Sequence, residues 1–365
     1  MFRQVCHRGW TSRTVLVVLF TTALGAATYA ADRPGQQQPH RNGKHDSALD
    51  AIASRGKAVR QTVIVRAVPG YRNSLRAFLR SQGGHHIKAE HAFIDAITVD
   101  IPMNALQALE NNPFVASVSI DAPLTAHDAP AGGGPTEQLL RPALGLNAGS
   151  AIGTGVGVAI IDSGIYPSPD FGSRIVAFYD FTQGGIATNP YDDFGHGTHG
   201  AGLVGGSGAF SDGAYAGVAP GVNLIGLKVL DSTGAGNTSN VISAIEFATA
   251  NKAALGIDVI NLSLGHRIFE SAATDPLVQA VQQAAAAGIV VVASSGNTGV
   301  NPATGLTAFG GIVSPGNAPS AITVGSVNMQ GTKRRIDDTV NNFSSRGPSR
   351  FDIFDKPDLV APGYH

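Results

Sequence analysis

The alternation of apolar and polar positions predicts a small first domain over residues 61–127. Residues 62–68 alternate as a half-buried strand does, and residues 71–82 repeat apolar positions at helical spacing until Gly83 and Gly84 end the helix. Two strands, a second helix and a last strand are predicted at residues 87–91, 94–101, 102–112 and 115–120. The order β-α-β-β-α-β is that of a ferredoxin-like α+β domain.

The second part of the chain follows a different pattern, in which apolar strands alternate with helices. Strands are predicted at residues 156–162, 222–230, 257–263, 289–293 and 321–327, with helices at residues 239–255 and from Asp275-Pro276 onward. Near-continuous apolar strands joined by helices are typical of a parallel sheet covered on both faces. We therefore predict an α/β domain over residues 139–365 built on a doubly wound parallel sheet, whose active groups lie beyond the carboxyl ends of the strands.

The segments that flank these domains are predicted from composition. Arg3, Arg8 and Arg13 precede a short apolar run, which indicates a secretory signal peptide over residues 1–30 with cleavage after Ala30. Residues 31–60 are predicted to be a disordered spacer, and residues 128–138 a flexible linker where the chain is processed. No later segment is long and apolar enough to span a bilayer. The signal peptide therefore predicts an exported protein, either extracellular or periplasmic.

Charge narrows the choice of partners. The formal net charge is −1, too neutral for a nucleic-acid-binding protein, and the predicted partners include no nucleic acid and, after signal cleavage, no membrane. Residues 31–130 carry 11 Lys and Arg against 9 Asp and Glu, a net of +2, whereas residues 131–365 carry 11 against 17, a net of −6. Opposite signs favour a weak attraction between the two domains. The single cysteine, Cys6, lies in the predicted signal peptide and indicates nothing about the redox compartment.

Three polar residues stand where strands end or helices begin. Asp162 closes an apolar strand, His196 lies among small residues at a predicted helix start, and Asn297 follows another strand. A carboxylate can orient an imidazole, the imidazole can act as a general base, and an amide can donate a hydrogen bond to a developing oxyanion. A nucleophile is the element that this set lacks.

The motifs around these residues resemble the subtilisin-like serine proteases. Residues 259–265, the Phe343-Ser344-Ser345 motif and the Ala361-Pro362-Gly363 motif follow in the same order as in that family. The resemblance covers residues 139–365, and the small domain is similar to the family's inhibitory propeptide. It implies a secreted zymogen of a serine endopeptidase that hydrolyses peptide bonds in proteins. In it Asp162 would orient His196, His196 would be the base, and Asn297 would help to form the oxyanion hole.

The resemblance also implies a peptide-binding cleft. Two edge segments would clamp an extended substrate as an added strand, namely Gly234, Ala235, Gly236 and Ser263, Leu264, Gly265. The pocket for the residue before the scissile bond would be lined by Ala293, Ser294, Ser295 and Gly296, with Val313 making it shallow. The implied partners are protein or peptide substrates and the chain's own propeptide as inhibitor, and the implied state is a monomer.

No cofactor is needed for this chemistry. The family is commonly stabilised by calcium, to which Asp192-Asp193 or Asp337-Asp338 could contribute ligands, although no site is assigned. A dinucleotide loop at residues 153–157 is disfavoured because it precedes its strand. A metal pair of His196 and His199 is disfavoured because the spacing is i, i+3 without an intervening glutamate.

The nucleophile of the family lies in a Gly-Thr-Ser motif after the Ala-Pro-Gly motif. The sequence therefore predicts that this serine follows His365 and that residues 1–365 alone are inactive. The alternatives are a non-catalytic peptide-binding or inhibitory protein, or an inactive truncated product. The presence of Asp162, His196 and Asn297 together favours the protease.

Overall fold

The small domain is built on an antiparallel sheet with its own helices against one face. The computed structural model describes residues 43–54, 59–127 and 139–363. In chain order the elements of this domain are α1 (Ser47–Ala53), β1 (Arg60–Ala67), α2 (Arg72–Ser81), β2 (His86–His91), β3 (Ala96–Pro102), α3 (Leu106–Glu110) and β4 (Val115–Ile120). The strands lie in the order β2-β3-β1-β4, and each neighbouring pair is antiparallel. The predicted β-α-β-β-α-β order is thus present from β1 to β4.

The two faces of the small sheet are buried against different partners. Val63 and Val65 of β1 pack into a cluster with the helices of the small domain, including Leu75 and Leu109. Ile64, which lies between the two valines, belongs to the core cluster of the large domain instead. Because successive strand residues point to opposite faces, the large domain serves as the second layer of this sheet.

The predicted spacer over residues 31–60 contains a helix that the sequence analysis missed. Asp46 accepts a hydrogen bond from the Leu49 backbone NH at 2.9 Å, which caps α1, and Leu49 is fully buried. A helix of seven residues is too short to be stable alone and forms because of its tertiary packing. The composition of residues 31–60 therefore does not predict it. The predicted signal peptide and the predicted linker over residues 128–138 lie outside the described residues.

The large domain has a mainly parallel central sheet. A short strand, β5 (Pro123–Ala126), connects the small domain to the large one. The elements after β5 are, in chain order, α4 (Leu140–Ala143), β6 (Gly157–Asp162), β7 (Ile175–Asp180), β8 (Ile186–Ala187), α5 (His196–Gly205), β9 (Asn223–Lys228), β10 (Ala235–Asn237), α6 (Thr238–Ala250), α7 (Lys252–Leu255), β11 (Ile257–Leu262), β12 (Leu264–Arg267), α8 (Pro276–Ala286), β13 (Val290–Ser294), β14 (Val313–Ser314), β15 (Ile322–Asn328), β16 (Thr339–Val340) and β17 (Leu359–Pro362). Among the residues described, nine strands form the central sheet in the order β16-β15-β13-β11-β6-β9-β7-β8, with β17 beside β15. The pairs from β15 to β7 are parallel, which confirms the predicted α/β sheet.

Strand β6 lies where the order of strand addition changes sides: β9 and β7 lie on one side of β6, and β11, β13 and β15 lie on the other. Ala159 and Ile161 pack into the core cluster that contains α6 and α8, whereas Val158 and Ile160 pack on the opposite face with Ala201 of α5. Helices therefore cover both faces. The carboxyl end of β6 is a topological switch point, where ligands of such sheets bind. The predicted helix 239–255 is interrupted at Asn251, where α6 ends and α7 begins.

A second, four-stranded sheet joins the two domains. Its order is β10-β5-β12-β14, so β5, which directly follows the small domain, lies between two strands of the large domain. The pattern of apolar and polar residues at positions 123–126 does not predict β5. No helix in the described part of the chain is long and apolar enough to cross a membrane.

Candidate active site

Asp162 and His196 form a hydrogen-bonded pair at the switch point. His196 Nδ1 donates to the Asp162 carboxylate, at 2.8 Å from Oδ1 and 2.9 Å from Oδ2. Asp162 ends β6 and is 1% exposed, while His196 is the first residue of α5. A buried carboxylate on Nδ1 fixes the ring orientation and the tautomer, so that Nε2 is the nitrogen that can act as a base.

Close backbone contacts bring the start of α5 against the end of β6. The Gly197 NH donates to Ser163 Oγ at 2.9 Å, and a Cβ on Gly197 would overlap the carbonyl oxygen of Gly164. Gly195, immediately before the helix, has a φ of 104°, which a residue with a side chain rarely adopts. The glycines flanking His196 are therefore required for the ring to reach Asp162.

Asp192 holds the loop that leads into α5. Its carboxylate accepts hydrogen bonds from the Gly195 NH at 2.8 Å and from Thr198, whose NH and Oγ1 lie at 2.9 and 2.6 Å. Burial alone would raise the pKa of Asp192, but these hydrogen bonds outweigh it and lower the pKa below its ordinary value. Asp192 therefore positions the helix start that carries His196.

Three of the four carboxylates considered as calcium ligands, Asp192, Asp193 and Asp337, have partners from the protein, whereas Asp338 Oδ1 is buried without a hydrogen-bond partner. The buried Lys228 Nζ donates to Asp193 Oδ1 at 2.6 Å, and Thr332 Oγ1 donates to Asp337 at 3.0 Å. Within the described residues, no group of three or more His, Cys, Asp or Glu side chains is arranged to hold a metal ion. Asp192, Asp193 and Asp337 are thus already engaged by protein donors, and we derive no step through calcium.

A cleft of about 710 Å³ opens beside the Asp162–His196 pair. The predicted base and the predicted oxyanion donor, His196 and Asn297, both line it. Its wall also includes Ser263, Ser294, Ser295, Gly296, Phe343 and His127. The structure thus brings together three regions that lie far apart in the sequence, at the carboxyl ends of β6, β11 and β13.

The two predicted clamp segments flank β5 in antiparallel register. On one side Ala235 pairs with Thr125 and Gly236 with Leu124, and the Ala126 NH donates to the Gly234 carbonyl at 3.0 Å. On the other side, Leu264 pairs with Ala126 and Gly265 with Thr125, and the His127 NH donates to the Ser263 carbonyl at 3.1 Å. All six predicted clamp residues therefore bind an extended segment, and that segment belongs to this chain.

His127, which the sequence analysis did not single out, places its ring against the predicted pocket. Its Nδ1 lies 2.6 Å from Ser294 Oγ. Burial lowers the pKa of His127 to about 4, and the nearby His196 and His266 act in the same direction. No short motif marks this residue, because its position depends on the pairing of β5 with distant strands.

Two pocket predictions need revision or refinement. Ala293 lies in the sheet core, 1% exposed and opposite Leu262, because the strand alternation turns its side chain away from the cleft. Val313 packs across the pocket instead: its methyl carbons would lie 2.9 Å from a Cβ on Gly265 and 2.7 Å from one on Gly296. The shallow pocket stays a prediction.

Comparisons with known proteins identify the family. Residues 153–365 match the peptidase S8 subtilase family, and the chain belongs to that family. It is 43% identical over 222 residues to the serine protease AprX of Bacillus subtilis (strain 168), covering 60% of this chain and 48% of AprX. It is 34% identical over 287 residues to subtilisin E of the same strain, covering 78% of this chain and 65% of subtilisin E.

Solved structures agree with the fold. Sphericase aligns with a TM-score of 0.52 at 27% identity, covering 64% of this chain and 74% of sphericase. Fervidolysin from Fervidobacterium pennivorans aligns with a TM-score of 0.61 at 20% identity over 84% of this chain and 47% of fervidolysin, which supports the fold alone. The chain spans between about half and two thirds of AprX and subtilisin E, at 48% and 65% of their lengths.

Proposed function

We propose that this chain belongs to a secreted serine endopeptidase that is made as an inhibited precursor. The observation that carries the proposal is the path of β5, which runs between the two clamp segments and ends with His127 in the cleft that His196 and Asn297 line. A protease binds its substrate as an added strand in this way. Export is supported by the basic and apolar pattern of the first 30 residues.

The hydrolysis would proceed through an acyl-enzyme. A serine hydroxyl attacks the scissile carbonyl carbon while His196 Nε2 takes its proton, and the tetrahedral oxyanion accepts a hydrogen bond from Asn297. Asp162 stabilises the imidazolium formed on His196. Collapse breaks the C–N bond, and the imidazolium gives its proton to the leaving amine. Water then hydrolyses the ester by the same steps and regenerates the serine.

We place the nucleophile after His365, as the family motif order implies. The family assignment and the share of AprX that this chain spans are consistent with that position. Ser344 and Ser345 are poor substitutes because both are 1% exposed and are engaged within the fold. Ser344 Oγ accepts from the Ser326 NH at 2.9 Å, and Ser345 Oγ accepts from the Thr298 NH at 3.0 Å.

The small domain would act as the intramolecular inhibitor. Its sheet packs on α6, and the Phe93 NH donates to Glu246 Oε1 at 2.7 Å. With β5 in the clamp, the bond after His127 is where the nucleophile would cut, within the predicted processing region. After that cut the strand would remain bound as a product until the small domain leaves.

The experiment is expression of the protein with the residues that its gene encodes after His365. We expect casein hydrolysis that is blocked by phenylmethylsulfonyl fluoride, and a mature N-terminus that begins at Asp128. His196→Ala should leave an unprocessed precursor. A mass-spectrometric map of the inhibitor adduct identifies the nucleophile.

A non-catalytic peptide-binding function is the competing outcome. The occupied clamp is compatible with it, because strand addition needs no nucleophile. Failure of the protein to hydrolyse casein or to take up the inhibitor, while it still binds a peptide with the sequence of residues 122–127, would support that alternative and overturn the protease proposal.

A further inference from the structure

We propose that the pocket for the residue before the scissile bond selects a neutral imidazole and that Ser294 is the residue that recognises it. This inference rests on the proposed endopeptidase function and goes beyond it by naming the preferred side chain. The occupant seen in the structure is His127, and its contacts define what the pocket accepts.

The backbone of His127 occupies the register of a substrate residue. Its NH donates to the Ser263 carbonyl at 3.1 Å, one position beyond the Leu264–Ala126 pair of the β12–β5 ladder. The strand therefore delivers its last side chain to the same pocket that a substrate would fill. In that pocket His127 shares the cleft with His196 and Asn297.

The ring makes one specific polar contact. His127 Nδ1 and Ser294 Oγ are 2.6 Å apart, and a hydroxyl can donate to an unprotonated ring nitrogen or accept from a protonated one. A phenyl ring in the same place would leave the Ser294 hydroxyl without this partner. Losing a neutral hydrogen bond of this kind costs about 0.5–1.5 kcal/mol, or roughly 2–10-fold in binding.

The size of the pocket also favours an imidazole over a larger ring. A Cβ on Gly265 would lie 3.1 Å from His127 Cε1, so the five-membered ring lies directly along the backbone of Gly265. Val313 lies beside both Gly265 and Gly296, and we expect it to limit the depth of the pocket there. We therefore expect a six-membered ring, and a tyrosine hydroxyl in particular, to fit less well than an imidazole.

The charge around the ring favours its neutral form. The titratable groups that act on His127 are His196 and His266, and both become cations when protonated. Ser294 and Gly265, which lie beside the ring, carry no negative charge to compensate. Burial and these two histidines keep the pKa of His127 low, so a charged imidazole or a lysine would be bound poorly.

The test uses peptide substrates with the sequence acetyl-Leu-Thr-Ala-X-aminomethylcoumarin, in which X is His, Phe, Tyr or Lys. The enzyme is the processed protein, expressed with whatever its gene encodes after His365. We expect the highest kcat/KM for His at pH 8. The His-to-Phe ratio should fall as the pH drops below about 6.5, where the free substrate imidazole protonates. The Phe peptide controls for titration of the enzyme's own base.

Two variants separate recognition by Ser294 from general damage. Ser294→Ala should lower kcat/KM for the His peptide more than for the Phe peptide, so that the His-to-Phe ratio falls about fivefold. Val313→Ala should shift preference toward Phe and Tyr by enlarging the pocket. Ser320→Ala, at an exposed serine that is not among the cleft-lining residues, is the matched control and should leave the ratio unchanged.

The outcomes distinguish this inference from the proposed function. Hydrolysis of the peptides with no preference for His over Phe, or an unchanged ratio in Ser294→Ala, overturns the imidazole proposal and leaves the protease intact. No hydrolysis of any peptide or of casein overturns the protease itself. If Ser294→Ala does not fold, the pH dependence of the His-to-Phe ratio in the unmodified enzyme and the shift in Val313→Ala decide the question.

Discussion

The carboxylate of Asp121 in the small domain caps a helix of the large domain through Ser239. The Ser239 NH donates to Oδ1 at 2.8 Å, and Ser239 Oγ donates to Oδ2 at 2.9 Å. Asn237, at the N-cap of α6, forms no side-chain cap hydrogen bond. An anion at a helix start satisfies an amide that lacks an intrahelical partner and interacts favourably with the helix dipole. The small domain therefore completes α6.

Replacing this cap should loosen the contact between the domains. We expect Asp121→Ala to lower the free energy of unfolding of the 365-residue chain by about 1 kcal/mol, the usual cost of losing an N-cap. Asp121→Asn is the matched control, because asparagine caps nearly as well without the charge. Urea denaturation gives both values. Equal losses in the two variants would indicate that charge, and not the cap hydrogen bonds, provides the stabilisation.

The pair of Asp162 and His196 should be essential for turnover and of little importance for substrate binding. With asparagine at position 162, the amide cannot stabilise the imidazolium and favours the wrong tautomer of His196. We expect Asp162→Asn to lower kcat by about 10⁴, the size seen for this change in another serine protease, with little change in KM. Asp212→Asn, at an exposed loop position with a positive φ that asparagine tolerates, serves as the control. A kcat reduced less than tenfold would contradict the role assigned to Asp162.

The candidate site residues could be located from the sequence because their signals are local. Asp162, His196 and Asn297 each follow or begin a regular element, and glycines flank two of them closely. The parallel sheet was predictable for the same reason, since a buried strand such as β11 shows as a short apolar run. Most of the predicted strands and helices begin and end within one or two residues of the bounds seen in the structure.

The features that escaped prediction depend on contacts between distant parts of the chain. Strand β5 is only four residues long, and it is a strand because β10 and β12 offer it backbone partners on both sides. The position of His127 in the pocket follows from that register. Helix α1 is similarly short and depends on the burial of Leu49. None of these leaves a periodic pattern in the sequence.

The stability of the packed domains should fall as the pH rises from about 4.5 to about 8 because of Glu270. Burial and the neighbouring Asp275 and Asp46 raise the pKa of Glu270 to about 8. The folded state therefore keeps a proton that the unfolded state releases near the ordinary value of 4.5. The stabilisation is fully present below about pH 4.5 and is lost as the pH rises through about 8.

Glu270→Gln tests this dependence, because the amide mimics the protonated carboxyl. Urea unfolding at pH 5, 7 and 9 should show a shallower decline in the variant than in the unmodified chain. One proton accounts for at most about 1.4 kcal/mol per pH unit. Glu90→Gln is the control: Arg76 lowers the pKa of Glu90, so its titration lies below this range. Parallel declines in the Glu270 variant and the unmodified chain would refute the assignment to Glu270.

Two glycines of α5 should respond in opposite ways to the same substitution. A Cβ at Gly197 would overlap the carbonyl oxygen of Gly164 and would also lie 3.1 Å from Asp162 Cβ, so the helix start must move away from β6. Gly200, three residues further along, has nothing within 4 Å of an added Cβ. Gly200→Ala therefore gains helix propensity without a clash, whereas Gly197→Ala gains it at the cost of the contact that aligns His196.

We expect Gly200→Ala to raise the free energy of unfolding by about 0.5–1 kcal/mol, because alanine loses less backbone entropy than glycine in a helix. Gly197→Ala should lower it by about 1–3 kcal/mol, the usual cost of overpacking a closely packed site. In the processed enzyme Gly197→Ala should also reduce kcat, because His196 moves with the helix start. Urea denaturation and peptide hydrolysis measure the two effects. A Gly197→Ala variant as stable and active as Gly200→Ala would mean that the close approach of α5 to β6 does not align the catalytic pair.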